Sequence, residues 1–276
     1  MKRNMLVFVV VLVLATACTS APTPTPVPPT TVPTPIPPTA TLIPSTATAT
    51  SVPPTTTPIL VPPTQLPSLP TPTACLFRDD FDVATLNSVW SWVREDKTHW
   101  SLSASSGNLQ ITTRSKESIF GKLSNQKNLL LQKAPAGNFE IITKVAFDPT
   151  KDFQKASLLV YQDDDNFVML SRSSCAQCRG GGVDLSVEVI GKSTLGFDAG
   201  MYKAFPRSPV YLKIGKDGTR YKGYYSADGT SWTQVGEQTH SGLADIKIGI
   251  TATNDSNAET TEIPADFDYF CVMKSP

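Results

Sequence analysis

The chain of 276 residues carries 24 basic and 24 acidic side chains, a formal net charge of zero, with 17% of its residues charged and 40% apolar. That balance excludes a nucleic-acid binder, which needs clustered Lys and Arg to displace counterions from phosphates; no basic run longer than two residues follows the N-terminus. Eighteen of the 24 prolines fall between Thr19 and Thr73, so the averages describe no single part of the molecule.

Met1-Lys2-Arg3-Asn4 is a short basic head, and Met5 to Leu14 is an uninterrupted apolar run ending at Ala15-Thr16-Ala17-Cys18. This is the pattern of an export signal, and it is too short for a permanent span, which takes about 20 apolar residues in a helix. The small residues before Cys18 resemble the bacterial lipobox, with Ala15 standing where many lipoboxes have Leu. The resemblance implies a signal peptide over residues 1–17 and acylation of Cys18, palmitate included, so that the mature protein is lipid-anchored outside a bacterial membrane; an ordinary signal peptide cut near Ala17 is the alternative. Each buried CH2 of such a chain contributes about 0.8 kcal/mol, so more than one acyl chain is needed for stable anchoring.

Residues 18–74 follow as a stalk. Between Thr19 and Thr73 there are 18 Pro and 17 Thr, and no charged side chain occurs between Arg3 and Arg78. Proline removes backbone donors and the scattered Val, Ile and Leu keep neither a 2.0 nor a 3.6 period, so the segment cannot offset its ordering entropy and is expected to be a disordered linker. As an extended chain at about 3.1 Å per residue it would reach on the order of 150 Å, enough to lift a domain through a cell-surface layer.

From Cys75 to Pro276 the apolar residues alternate with period two, as in Phe139-Ile141-Thr143-Val145-Phe147 and Val210-Leu212-Ile214. No stretch shows a helical stripe, so this is an all-β domain. Turn chemistry recurs at Asp163-Asp164-Asp165-Asn166, Lys216-Asp217-Gly218-Thr219 and Ala227-Asp228-Gly229-Thr230. About a dozen strands in one domain predict a two-sheet sandwich of jelly-roll type.

The order Phe77-Arg78-Asp79-Asp80-Phe81, Val89-Trp90-Ser91-Trp92, Gly107-Asn108-Leu109, Ala156 to Phe167, Tyr225-Ser226-Ala227-Asp228-Gly229-Thr230-Ser231-Trp232 and Ala265-Asp266-Phe267-Asp268-Tyr269-Phe270 resembles the concanavalin A-like domain at the C-terminus of many β-xylosidases and α-arabinofuranosidases. The resemblance covers nearly all of Cys75 to Met273. It implies a lectin-like jelly roll with a concave sheet, and it implies that the catalytic acids of such enzymes belong to a separate propeller domain for which this chain has no sequence. In a jelly roll of this kind the terminal strands lie side by side, which makes Cys75–Cys271 the implied staple.

The chemistry-bearing residues are sparse. His99 and His240 are the only histidines, which leaves no Ser-His-Asp or three-His zinc site. Asp163, Asp164 and Asp165 sit at a hairpin tip and read as a solvated turn, and Glu188, on the same strand face as Asp184 and Ser186, lacks the carboxylate series of a jelly-roll glycosidase. Sugar binding asks only for aromatic platforms with a few polar partners. Trp90 and Trp232 read as core, whereas Trp92, Trp100, Tyr161, Arg172 and Tyr211 are the candidate ligand contacts, the last three expected to point away from the inter-sheet core.

Cys175 and Cys178 form a CxxC before a glycine run; a loop-closing disulfide is favoured over a redox or zinc half-site. No cofactor is required, although Asp79, Asp80 and Asp268 are candidates to hold one structural Ca2+, against strand-end solvation as the competing reading. The reading that results is a surface-anchored lipoprotein with a non-catalytic, lectin-like domain whose partner is a β-linked polysaccharide or oligosaccharide, with membrane contact through the lipid alone. An envelope protein-interaction module and, less favoured, a glycosidase or lyase are the alternatives.

Overall fold

The computed structural model describes residues 74–120, 124–175, 180–196, 198–255 and 260–275, the side chains of Cys175 and Gly180 excepted. The signal segment, Cys18, the stalk up to Thr73, Cys178 and with it the Cys175–Cys178 pairing lie outside the described residues.

The described residues form strands and no helix. In chain order these are β1 (Phe77–Asp79), β2 (Ser91–Val93), β3 (Trp100–Ser101), β4 (Leu109–Thr112), β5 (Leu129–Lys133), β6 (Phe139–Ala146), β7 (Gln154–Asp163) and β8 (Asn166–Cys175). They continue as β9 (Gly180–Val189), β10 (Lys192–Thr194), β11 (Tyr202–Ala204), β12 (Val210–Asp217), β13 (Arg220–Ser226), β14 (Thr233–Thr239), β15 (Lys247–Asn254) and β16 (Pro264–Lys274). One sheet runs β14-β13-β12-β6-β16-β4-β3 with β1 also beside β16, and the other runs β10-β9-β8-β7-β15-β5-β2 with β11 beside β9; every pairing is antiparallel. The two-sheet sandwich is the architecture the alternation predicts.

The inter-sheet core follows from that alternation. On β6, Phe139, Ile141 and Val145 are fully buried while Glu140 and Lys144 face out, and on β12 Val210, Leu212 and Ile214 do the same between Tyr211 and Lys213. Each such side chain contributes about 1.5–3 kcal/mol on burial. Thr143, the one polar residue in the inward series of β6, donates its hydroxyl to Tyr269 O at 2.6 Å, so no buried donor is left over there. Trp90 lies in the core as expected, ringed by Phe77, Phe81 and Phe270, with Nε1 donating to Asp79 Oδ2 at 2.8 Å.

The second sheet is buried on both faces. Leu158 and Val160 of β7 face the inter-sheet core, whereas Leu159 and Tyr161 join Ile119, Leu129, Leu131, Phe167 and Met169 in a separate apolar cluster on the far side. Residues 113–120 and 124–128 cross this far side and are tied to it: Thr253 Oγ1 donates to Glu117 O, Thr251 Oγ1 to Asn128 O, and Gln126 Nε2 to Ala252 O. Gly249 is required where β15 meets β5, because a Cβ there would lie 1.8 Å from Leu130 O.

β1 pairs with β16, and Cys75 and Cys271 are joined by a disulfide across 196 residues with their Cα atoms 5.7 Å apart, the pairing the resemblance implies.

Candidate functional site

Register places one set of side chains on the outer face of the first sheet. Because Leu212 and Ile214 face the core, Tyr211 and Lys213 face out; Lys213 lies across from Tyr224 on β13 and Ile142 on β6, and Tyr211 across from Lys144, which lies across from Tyr269 on β16. Arg78 on β1 is next to Tyr269, its guanidinium 4.0 Å from the ring centroid. Trp232, just before β14, completes the row. Six strands separated by about 4.8 Å make a face roughly 24 Å wide.

The rings and cations alternate along it. Lys213 Nζ is 4.8 Å from the Tyr224 centroid, 4.9 Å from that of Trp232 and 3.4 Å from Glu140 Oε1. Lys144 pairs with Asp268 and lies 5.9 Å from the Tyr211 ring, and the hydrogen bond to Asp268 raises its pKa. Burial pushes the Tyr269 phenol up to about 12 and raises that of Tyr224, so both stay neutral at physiological pH and present a hydroxyl that can donate and accept.

The Ser-x-Asp-Gly-x-x-Trp motif builds one end of this face. Ser226 Oγ donates to Asp228 Oδ1, and the same oxygen accepts the backbone N–H groups of Thr230 and Ser231, which hold the Asp228 carboxyl well below its usual range. Gly229, at φ +75°, lies so close to Tyr211 that an added Cβ would be 2.9 Å from the ring. The turn therefore backs Tyr211 and delivers Trp232 to Lys213.

Of the candidate ligand contacts, Tyr211 is on this face. Trp92 and Trp100 are elsewhere: they pair across from the inward Leu130 and Ile111, pack with centroids 5.0 Å apart and ring planes tilted by 36°, and close the side of the sandwich where edge strands β2 and β3 meet. Tyr161 does point away from the inter-sheet core, but it is only 5% exposed, packs with Ile119 and Phe167, and donates its hydroxyl to Asp164 Oδ1 at 2.7 Å, so it is not a platform. Arg172 corrects the expectation outright. It shares its side of β8 with Val168 and Leu170, is 3% exposed, and donates to Phe205 O at 2.8 Å. Trp232, expected in the core, lies on the outer face instead. Tyr224, Tyr269 and Lys213 were not singled out; the signal for Tyr224 was the inward Tyr221 three residues before it on β13.

The three carboxylates named for calcium are held by different partners. Asp79 accepts from Phe81 N and Trp90 Nε1, Asp80 pairs with Arg78, and Asp268 pairs with Lys144 across the sheet, so the three carboxylates serve separate partners. Among the described residues no group of His, Cys, Asp and Glu is placed to hold a metal ion. Other carboxylates are engaged in structure: Asp164 forms a two-pronged pair with Arg94, Asp184 accepts from Ser173 and Ser186, and Glu188 accepts from Ser193.

Among solved structures, the fold is similar to a GH43 protein of Bacillus licheniformis, at 22% identity and a TM-score of 0.63 over 72% of this chain and 39% of that one. It is also similar to the xylan β-1,4-xylosidase from Bacillus halodurans C-125, at 22% identity and a TM-score of 0.61 over 76% of this chain and 41% of that one. The chain thus spans about two fifths of these enzymes. A functionally unknown protein from Saccharomyces cerevisiae shares the fold at 13% identity and a TM-score of 0.53, over 68% of this chain and 98% of its own. No curated protein matches the chain. The family model for the β-xylosidase C-terminal concanavalin A-like domain matches residues 78–273, and the chain belongs to that family.

Proposed function

We propose that the sandwich is a non-catalytic carbohydrate-binding domain that takes a β-linked polysaccharide on the outer face of its first sheet, displayed outside a bacterial membrane on a lipid anchor at Cys18. The observation that carries this is the row Trp232, Tyr224, Tyr211 and Tyr269 interleaved with Lys213, Lys144 and Arg78. Aromatic rings supply the apolar surface on which a pyranose stacks, and the ammonium and phenol groups beside them supply donors for its hydroxyls. The names of the similar enzymes, a xylan xylosidase among them, point to plant-type glycans as the first ligands to try. Binding without catalysis fits Asp164, Asp184 and Glu188, whose carboxylates are engaged by Arg94, by Ser173 and Ser186, and by Ser193.

The test is a glycan panel of xylans, arabinans, glucans and host-type glycans on the full-length protein, followed by titration of the best ligand with Tyr224→Ala and Trp232→Ala. Each substitution is expected to remove about 1–3 kcal/mol of stacking-type binding, taking a base–ring contact as the scale, which is about five- to 150-fold in affinity, with little change in Tm. Unchanged affinity in both variants removes this face from the site. No binding to any glycan transfers the weight to a protein-interaction module.

A further inference from the structure

The cations on the outer face of the first sheet are not free. Lys213 Nζ is 3.4 Å from Glu140 Oε1, Lys144 is paired with Asp268, and Arg78 Nε donates to Asp80 Oδ1 at 2.8 Å. Lys222, two residues before Tyr224, has its Nζ 3.9 Å from Glu237 Oε2. Strand register sets these pairs among the rings. Lys213 lies across from Tyr224, Lys144 across from Tyr211 and Tyr269, and Lys222 across from Gly215, which in turn lies across from Glu140. Gly215 has no side chain to offer there, and the Glu140 carboxylate lies over it, Oε1 being 3.6 Å from where a Cβ would stand. Asp266, on the same face, accepts from the neutral Gln110 amide at 2.9 Å. With it, the carboxylates named here outnumber the cations.

Each pair offers a donor and an acceptor side by side at the edge of a ring. Neighbouring hydroxyls of a sugar both donate and accept, and so match that arrangement. A ligand carboxylate does not. To reach an ammonium it must displace a carboxylate already held there or stand beside it, and like charges a few ångströms apart repel more strongly at a protein surface than in bulk water. The side chains of Lys213 and Glu140 are only 14% and 20% exposed, so dissolved salt screens this pair least.

We propose that these ion pairs are a charge filter, with Glu140 and Asp268 as its determining residues, so that the aromatic face takes uncharged glycan chains and turns away polyuronates. That the ligand is a glycan rests on the reading above; its lack of charge is inferred from the pairing alone. Placing like-signed groups against the wrong ligand separates two polymers whose rings are otherwise the same.

Calorimetric titration of the full-length protein with matched hexamers tests it. The pairs are β-1,4-linked glucose beside β-1,4-linked glucuronate, β-1,4-linked mannose beside β-1,4-linked mannuronate, and xylohexaose beside xylohexaose bearing one glucuronate, each acid also as its methyl ester. The neutral member is expected to bind about tenfold or more tighter than the acid, and the ester to recover most of that difference. Neutral affinity should stay level from about 0.05 to about 0.5 M NaCl. In Glu140→Gln/Asp268→Asn the preference should shrink about tenfold at low salt, because Lys213 and Lys144 are then unmatched, and the acid binding so gained should weaken as salt is added. Exposed ion pairs contribute little to folding, so Tm should move by only a few degrees, and the measurements on the parent protein stand whether or not the variant folds. Acid bound as tightly as its neutral partner or in place of it, neutral affinity that falls steeply with salt, or a preference unmoved in the folded variant overturns the filter and leaves the aromatic face as a glycan site. No hexamer bound, or a hexamer whose affinity Tyr224→Ala and Trp232→Ala leave unchanged, overturns the aromatic-face reading and the filter with it.

Discussion

Asp96 gathers the loop between β2 and β3. It accepts from Thr98 Oγ1 at 2.6 Å and from Thr98 N at 3.1 Å, pairs with Arg114, and has His99 Nδ1 3.6 Å away; Arg114 in turn reaches Glu117 and His99 reaches Glu262. The Thr98 hydrogen bonds first, then the neighbouring positive charges, lower its pKa from 3.8 to about 2. Between those values the unfolded chain binds a proton that the folded one does not. The stabilisation is therefore complete above about pH 4 and is lost as pH falls through about 2. Asp96→Asn should be less stable at neutral pH and show a flatter decline from pH 4 to pH 2 in thermal melts; a decline as steep as that of the parent would show that Asp96 does not set the acid limb. At this scale the sequence was least informative. Arg172 follows Phe167-Val168-Met169-Leu170, where both faces of β8 are apolar, and without alternation nothing in the sequence says which face the next residue takes. Trp232 lies outside any strand, so no period assigns it a side.

Elements were more legible. The Asp-Gly turns after β12 and β13 are where hairpin chemistry puts them, and the alternation on β6 and β12 reads directly as inside and outside. What hid was β7, whose Leu158-Leu159-Val160 run faces two apolar layers, because the cover over its far side comes from residues 113–120 and 124–128, distant in sequence. The turn joining β9 to β10 hid as well. Ile190 and Gly191 both have positive φ, +50° and +68°, the pair of signs a two-residue hairpin turn of the mirror-image type needs. A β-branched residue in that conformation costs roughly 1–2 kcal/mol, and Ile190 is 83% exposed, so it recovers little by packing. Ile190→Asn is expected to raise stability by about 1 kcal/mol, read as a higher urea midpoint at unchanged slope. A lower midpoint would mean that the isoleucine packs against something in the folded protein.

For the whole molecule, the two-sheet class and the Cys75–Cys271 staple were accessible in advance, because period-two patterning and a family-like order of motifs extend over the full domain. The mode of attachment rests on sequence alone. Metabolic labelling with palmitate in a bacterial host should mark the parent chain and leave Cys18→Ala unlabelled and released from the membrane fraction; label retained by the variant would reject the lipid anchor.

The bridge between Cys75 and Cys271 also decides where a mechanical load travels. Tension applied at the two ends of the domain crosses from β1 to β16 through the sulfur atoms, so residues 76–270 carry none of it. If the protein works as proposed, a fibre held on Tyr224 and Trp232 and pulling against a tether at Cys75 would load β13, β12, β6 and β16 in turn, all strands of one sheet. The opposite sheet stays out of that line of force.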